Sequence, residues 1–434
     1  MASIFERALK GVLVPHRKNT KDFATEEMPV PDKVYVVMSQ HMGPPCEVKV
    51  AVGDLVKVGQ VLGDSEAFLS APIHSSVSGK VSAIDEILMP NGNRSKAVVI
   101  ETDKLQEMHE SVAPPVITDK ESFLAAVKAS GMVGLGGAGF PVHVKFNPKN
   151  LDEVKVLVVN AAECEPYITS DYRTIMEDAD DLLSGIRTIM KYLQMDICYI
   201  GVEDNKPQGI EKLNQMTEKE DNIQVVSLKS QYPQGAEKVL IHATTGRVVP
   251  EGKLPADVGV IVSNVTTVAA LARYFRSGVP LIQKRVTVDG NAIKTPKNVQ
   301  AYIGTPVQDV MEFCGGVKEE PRKLLMGGPM MGIAIYDPSY PVVKSNNAVL
   351  AFAADQVEEY NESACIRCGR CVRSCPMNLM PLRIEDCFER DDIDGLKAFK
   401  VNLCIECGCC AYSCPAKRHL VQTHRLAKAR LRKV

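Results

Sequence analysis

Eight cysteines near the C-terminus fall into two copies of one pattern. Cys365, Cys368, Cys371 and Cys375, followed by Pro376, and Cys404, Cys407, Cys410 and Cys414, followed by Pro415, both read C-x2-C-x2-C-x3-C-P. Three thiolates on so tight a loop can hold three corners of one small body. The proline then turns the chain away and delivers the fourth thiolate elsewhere. Of the 14 cysteines, ten lie between Cys365 and Cys414 and the other four are scattered. A disulfide scaffold spreads its cysteines through a short secreted chain. This chain has 434 residues, and its opening, MASIFERALKGVLVPHRK, lacks the charged-then-apolar layout of a signal peptide. Clustering of this kind means metal.

The spacing resembles that of bacterial two-cluster ferredoxins, in which each fourth cysteine ligates the other cluster. Cys365, Cys368, Cys371 and Cys414 are then expected around one [4Fe–4S] cluster, and Cys404, Cys407, Cys410 and Cys375 around the second. Structural zinc closes with four ligands in two knuckles, which two runs of four do not fit. Cys387 and Cys409 are left over and are expected as buried free thiols. Two coupled clusters pass single electrons; alone they make a relay.

The remaining chain reads as several domains, since a single core rarely serves more than ~150 residues. Residues 34–100 alternate in strand fashion, with VGDLVKVGQ (52–60) and APIHSSVSGKV (71–81) as related hairpin edges. They resemble the flattened barrel of lipoyl and biotinyl carriers. The hairpin that carries the modified lysine there is SEAFLS (65–70) here, with no lysine, so a scaffold is expected rather than a swinging arm. Beyond a linker at 113–116, Thr118 or Asp119 caps a predicted helix that Gly131 stops. Predicted strands at 154–160, 197–202 and 223–228 alternate with helical patterns at 171–194 and 206–219, which implies a parallel α/β sheet. Residues 284–335 return to short strands around a helix at 307–313, a small α+β module.

Gly134-Leu-Gly136-Gly137-Ala-Gly139 matches G-x-G-x-x-G but follows a predicted helix, whereas a dinucleotide fingerprint follows a strand. Phe140-Pro141 and Lys145 come next, then a strand ending in Asn160-Ala-Ala-Glu163-Cys-Glu165-Pro166. Glycines let amide groups approach a phosphate, a lysine adds point charge, and strand ends of α/β sheets are where ligands sit. This block resembles the flavin- and NADH-binding subunit of respiratory complex I, with its G-R-G-G-A-G-F-P loop and N-A-D-E-S-E-P strand end. Leu135, Ala162 and Phe146 depart from that family's Arg, Asp and Trp. Tyr232-Pro-Gln-Gly235-Ala-Glu237 resembles its Y-x-x-G-E-E segment, and Ser263-Asn264-Val-Thr-Thr267 its N-N-V-E-T. The resemblance implies that Gly134, Gly136, Gly137, Gly139 and Lys145 cradle the phosphate of non-covalent FMN. It also implies that Asn160, Glu163, Ser263, Asn264 and Thr267 line the ribityl chain and isoalloxazine, with Tyr232 and Gly235 beside them. Glu165 and Glu237 would face NAD(H), a substrate whose choice over NADP(H) rests on the resemblance. No catalytic residue is implied, because flavin carries the chemistry.

The order of parts is similar to that of the RnfC family of Rnf electron-transport complexes over essentially the whole chain. The expected fold is multidomain α/β and α+β: a barrel-sandwich domain (1–112), an FMN/NADH-binding α/β domain (113–283), a β-grasp-like module (284–345) and a two-cluster ferredoxin-like domain (346–434). The implied function is that of a peripheral subunit on the cytoplasmic side of the cell membrane. It exchanges hydride with NAD(H) at FMN and single electrons through two [4Fe–4S] clusters. Its implied partners are the other subunits of an ion-translocating NADH:ferredoxin oxidoreductase, including an iron–sulfur subunit that exchanges electrons with ferredoxin. Two alternatives are a cobalamin-reductase-like flavo-iron–sulfur protein and a non-catalytic relay with a degenerate flavin site.

Charge and hydropathy agree with a soluble or peripheral chain. Lys and Arg (51) balance Asp and Glu (53), and aromatic content is 5% with no Trp, so nucleic acid is not an expected partner. The most apolar stretch, 258–275, contains Ser263, Asn264 and Arg273 and is too polar to span a bilayer. From Lys417 onward there are seven basic residues and no acid. With the whole chain at −2, the first 416 residues carry −9. This cationic tail is either a solvated helix or a docking element for an acidic subunit or an anionic membrane.

Overall fold

A computed structural model describes residues 10–433. The first nine residues, within the stretch read for a signal peptide and the predicted first domain, lie outside the described residues, as does Val434. Two antiparallel sheets form the barrel. One contains Lys33–Val37, Arg94–Thr102, Gly79–Leu88 and Leu55–Val56; the other contains Glu47–Val48, Val61–Asp64 and Ile73–His74. Alternate residues such as Val34, Val36, Val98 and Ile100 point inward to a common core, as the period of two requires. The hairpin at 65–70 is closed by Ser70, whose hydroxyl donates to the carbonyls of Ser65 and Ala67.

Four parallel strands follow: β1 (Val156–Ala161), β2 (Ile197–Glu203), β3 (Ile223–Leu228) and β4 (Val260–Asn264), in the order β3-β2-β1-β4. Strand β1 is apolar on both faces because both are covered. Leu157 and Val159 pack with the helices α1 (Lys120–Ala129), α4 (Ala179–Leu193) and α7 (Val265–Ser277), while Val156 and Val158 pack with α6 (Glu237–Thr245). Asp119 caps α1 as expected, its carboxylate accepting from Ser122 N–H. The helical pattern at 171–194 is two helices, α3 (Ser170–Glu177) and α4, divided at Asp178. Arg285 ion-pairs with Glu177 and Asp178 at that break, at 2.9 Å each. A four-residue helix α2 (Val142–Lys145) and α5 (Pro207–Thr217) complete the unit.

The third unit is a six-stranded sheet containing β5 (Gln283–Asp289), β6 (Lys297–Tyr302), β7 (Lys323–Met326), β8 (Ile333–Ile335) and β9 (Ala348–Phe352), with α8 (Val307–Phe313) in its core. Two expected boundaries shift here. Thr25–Glu27, inside the range assigned to the barrel, is the edge strand of this sheet, paired parallel with β6. Strand β9, inside the range assigned to the ferredoxin part, is central, between β5 and β7. All five residues of β9 are buried and apolar, so the strand cannot be an end piece. The last unit is helical: α9 (Arg370–Ser374), α10 (Pro381–Glu389), α11 (Ile393–Ala398), α12 (Cys409–Tyr412) and α13 (Leu420–Leu431). Among the described residues, no helix is long and apolar enough to cross a membrane.

Candidate functional site

Strand order reverses between β1 and β4: the chain builds β2 and β3 to one side of β1 and β4 to the other. Such a switch point opens a crevice beyond the strand ends, where α/β sheets bind ligands. Asn160 and Asn264 are paired in register at those ends. Asn264 caps α7, accepting from the amides of Thr266 and Thr267, and its own amide donates to Asp171 at 2.7 Å. Asn160 donates to the Gly235 carbonyl at 2.9 Å, which draws the 232–237 segment to the strand end.

The glycine loop lies above this crevice. Gly134 N–H bonds Phe140, closing the loop, and Leu135 N–H donates to Thr267 Oγ1 at 3.0 Å. Leu135 itself is in the core, 1% exposed. Its side chain therefore packs below the loop, away from any loop ligand. Among the described residues no hydrogen bond engages the amides of Gly136, Gly137 or Ala138. Gly137, at φ +155°, has open space where a Cβ would stand, and a Cβ on Gly136 would come within 2.9 Å of Asn264 Nδ2. Free amides on an open loop backed by an amide side chain fit a phosphate-bearing flavin. Lys145 stands near, in an ion pair with Glu237 at 2.9 Å. Ser263 and Thr267 are buried beneath.

The loop after β1 is held by residues that carry no motif. Glu163 and Tyr167 sit in the left-handed region, φ 51° and 70°, which non-glycine residues adopt at a cost. Two lysines fix it: Lys206 donates to the Ala162 carbonyl at 2.7 Å, and Lys18 donates to the carbonyls of Glu163, Glu165 and Ile168. Burial pulls Lys18 below the usual lysine range despite the nearby Glu163 carboxylate. Burial pushes Glu163 up; one of its oxygens accepts from Asp171 N–H, and the other is buried with no hydrogen-bond partner among the described residues. A buried orphan oxygen beside the strand end is a further place for a flavin donor.

Two expected ligand residues are engaged otherwise. Glu165, read as facing NAD(H), accepts the amides of Met330 and Met331 at 3.0 and 2.8 Å, anchoring the turn between β7 and β8. Burial raises it to about 7. Tyr232, read as a cofactor contact, is 1% exposed and donates its hydroxyl to the Cys407 carbonyl at 2.7 Å. Cys164 accepts from Gly235 N–H at 3.3 Å, and Cys409 lies 3.9 Å from the Tyr232 carbonyl. The strand end, the 232–237 segment and the second cysteine run are thus one packed body.

The two cysteine quartets surround separate cavities. Cys375, Cys404, Cys407 and Cys410 line one of about 330 Å³; Cys365, Cys368, Cys371 and Cys414 line another of about 360 Å³. Each fourth cysteine is in the other run's cavity. Four sulfurs around a cavity, rather than closed on a point, fit a cubane and not a lone zinc ion. Amides turn toward the sulfurs: Arg367 N–H to Cys365, Leu379 to Cys375 and Glu406 to Cys404, each at 3.4 Å. Cys365 and Cys368 are exposed, whereas Cys407 and Cys410 are buried. Cys387 and Cys409 are buried free thiols.

The basic tail is mostly satisfied within the chain. Arg418 pairs with Glu362, Glu385 and Glu389; Arg425 and Lys428 pair with Glu406; Arg430 pairs with Asp391; Lys417 lies over the Tyr360 ring. His424 reaches Cys404 at 3.3 Å. Helix α13 is therefore a wall of the second cavity, which removes most of its charge from a docking role.

Comparison with known proteins agrees with this anatomy. Family models match in chain order: the RnfC barrel sandwich hybrid domain over residues 7–105, the Nuo51 FMN-binding domain over 127–273, an SLBB domain over 285–334 and a 4Fe-4S dicluster domain over 364–418. The chain thus carries FMN and [4Fe–4S] clusters. It is 44% identical to the RnfC-type subunit of the proton-translocating ferredoxin:NAD(+) oxidoreductase complex of Clostridium ljungdahlii, over 86% of this chain and 82% of the relative. To the same subunit of the Na(+)-translocating complex of Acetobacterium woodii it is 42% identical, over 96% and 95%. Among solved structures, an NAD+-reducing [NiFe]-hydrogenase in the H2-reduced state shares the fold, with TM-score 0.50 and 17% identity. That match covers 70% of this chain and 63% of the hydrogenase chain.

Proposed function

The chain belongs to the RnfC family of subunits of ion-translocating ferredoxin:NAD(+) oxidoreductase complexes, and from that premise we propose that it is the flavin-bearing electron-transfer subunit that exchanges electrons with NAD(H). FMN supplies hydride acceptance and its division into single electrons. The chain's own residues bind and orient. The amides of Gly136, Gly137 and Ala138, with Lys145, take the phosphate; Asn160, Asn264 and Thr267 fix the loop and strand ends against the ring; Glu163 receives a flavin donor on its free oxygen. Glu237 remains the carboxylate at the mouth for the nicotinamide nucleotide, and Glu165 acts only by positioning the turn at 330–331. Electrons pass first to the quartet that includes Cys407, then to the one that includes Cys365. The protein acts as a peripheral subunit on the cytoplasmic face of the membrane.

The observation that carries this reading is the Tyr232 hydroxyl on the Cys407 carbonyl, which ties the flavin side to one cysteine quartet and leaves the other exposed. The test is anaerobic purification with flavin, iron and sulfide analysis, followed by NADH titration. About one FMN and about eight irons per chain are expected from two cubanes, with the clusters bleaching on NADH addition. Lys145→Ala should lower flavin retention about tenfold or more, through loss of a charge-assisted contact. Protein that retains clusters but no flavin would make the chain a plain relay.

A further inference from the structure

The two cysteine runs are repeats, and the places where they differ are informative. Cys365-Ile-Arg367-Cys368-Gly-Arg370-Cys371-Val-Arg373-Ser-Cys375 aligns with Cys404-Ile-Glu406-Cys407-Gly-Cys409-Cys410-Ala-Tyr412-Ser-Cys414. Three spacer positions that are Glu, Cys and Tyr in one copy are all arginine in the other. In the second copy two of them face inward: Glu406 pairs with Arg425 and Lys428, and Cys409 packs at Tyr232. In the first copy Arg367, Arg370 and Arg373 are all exposed. Among the described residues no ion pair or side-chain hydrogen bond engages their guanidinium groups, and the run from 365 to 375 contains no acid. Ile366, 68% exposed, stands between the exposed Cys365 and Arg367.

We propose that this loop is a docking face for an acidic iron–sulfur protein domain, with Arg367, Arg370 and Arg373 recognising its carboxylates and Ile366 seating at the centre. The inference deepens the electron-transfer reading and rests on it. An exposed apolar residue ringed by unpaired cations is the anatomy of a transient redox contact: charge steers encounter, and a small dry centre brings the two cluster edges together. Arginine suits the role because its fork binds a carboxylate bidentately. The exchange across the face is one electron, with the losing cluster oxidised by one and the receiving cluster reduced by one. No bond forms or breaks. The tail, whose cations are mostly paired within the chain, is not this face.

The test uses the full chain with flavin and clusters, and an acidic two-cluster [4Fe–4S] ferredoxin as probe. Binding is measured calorimetrically with both proteins oxidised, at about 50 and about 300 mM salt, a range over which screening shortens markedly. Arg367→Glu/Arg370→Glu/Arg373→Glu should weaken binding at least about tenfold at low salt and flatten its salt dependence. Should the triple reversal lose its clusters, the neutral Arg367→Gln/Arg370→Gln/Arg373→Gln variant should still weaken binding several-fold. Arg432→Glu/Lys433→Glu, on the exposed end of the tail, should change nothing. Unchanged binding in the triple variants, equal loss in the tail variant, or arginine-dependent uptake by phosphatidylglycerol vesicles exceeding ferredoxin binding would each overturn the proposal. NADH-driven cluster bleaching, followed in the same samples, tests the electron-transfer reading separately.

Discussion

Asn160 and Asn264 stand in register at the ends of neighbouring parallel strands, one reaching to the Gly235 carbonyl and the other to Asp171 and the first amides of α7. The pair connects the sheet's switch point to every segment around the crevice. Any change that pushes Asn264 aside should therefore be felt at the glycine loop. Gly136→Ala places a Cβ within 2.9 Å of Asn264 Nδ2. Flavin content should fall severalfold while iron content is kept, since the cysteine runs lie elsewhere. Measured flavin-to-iron ratios decide it, and a normal ratio counts against the loop as the phosphate cradle.

Crossed delivery of the fourth thiolate makes a sharp prediction for Cys375→Ala. Paramagnetic resonance should show loss or conversion of the cluster held by Cys404, Cys407 and Cys410, with the other quartet better preserved. Selective loss of the signal from the Cys365 quartet would reverse the assignment.

Tyr232→Phe removes one buried hydroxyl and leaves the Cys407 carbonyl without it. Stability should drop by about 1–2 kcal/mol, read as a lower melting temperature. The resonance line of the cluster beside Cys407 should change, and flavin content should not.

Lys284 is fully buried and its ammonium has no hydrogen-bond partner among the described residues. Burial pulls it from an ordinary 10.5 down to about 8, with Asp171 opposing. Between those values the unfolded chain holds a proton that the folded chain does not, so this group makes stability rise with pH across that window and disfavours folding below it. Lys284→Met should melt higher than the parent at pH 7, by up to about 3 kcal/mol in stability, with the difference closing toward pH 10. Parallel melting curves across that range would exclude the effect.

Much of this was legible because it is written locally. Cysteine spacing determines which thiols can share a cluster, and the apolar runs at 197–202 and 223–228 lie within observed strands. The strand-end block and glycine loop were found as words. What stayed hidden depends on chain segments far apart. Lys18 and Lys206 hold the 162–168 carbonyls, but nothing around either lysine announces a buried partner 145 residues away. Glu165 and Tyr232 belong to ligand-like words yet turn to Met330 and Cys407, because burial at a junction between units takes whatever donor or acceptor is near. The tail misled for a related reason: its cations are contiguous in sequence, whereas Glu362, Glu385, Glu406 and Asp391, which pair with them, are not.

The leading segment touches three units in turn. Val12 pairs with Tyr232, Lys18 grips the loop after β1, and Thr25–Glu27 adds an edge to the six-stranded sheet before the barrel begins at Lys33. Four modules that look like beads on a string are therefore laced, with the lace drawn from the end made first during synthesis. Its stations are all sites that come off the ribosome later, so its own ordering must wait for theirs. A nick near residue 30 would leave every bead intact and still loosen the knot between flavin and cluster. Inheritance by module and mechanical independence are separate properties, and this molecule has the first without the second.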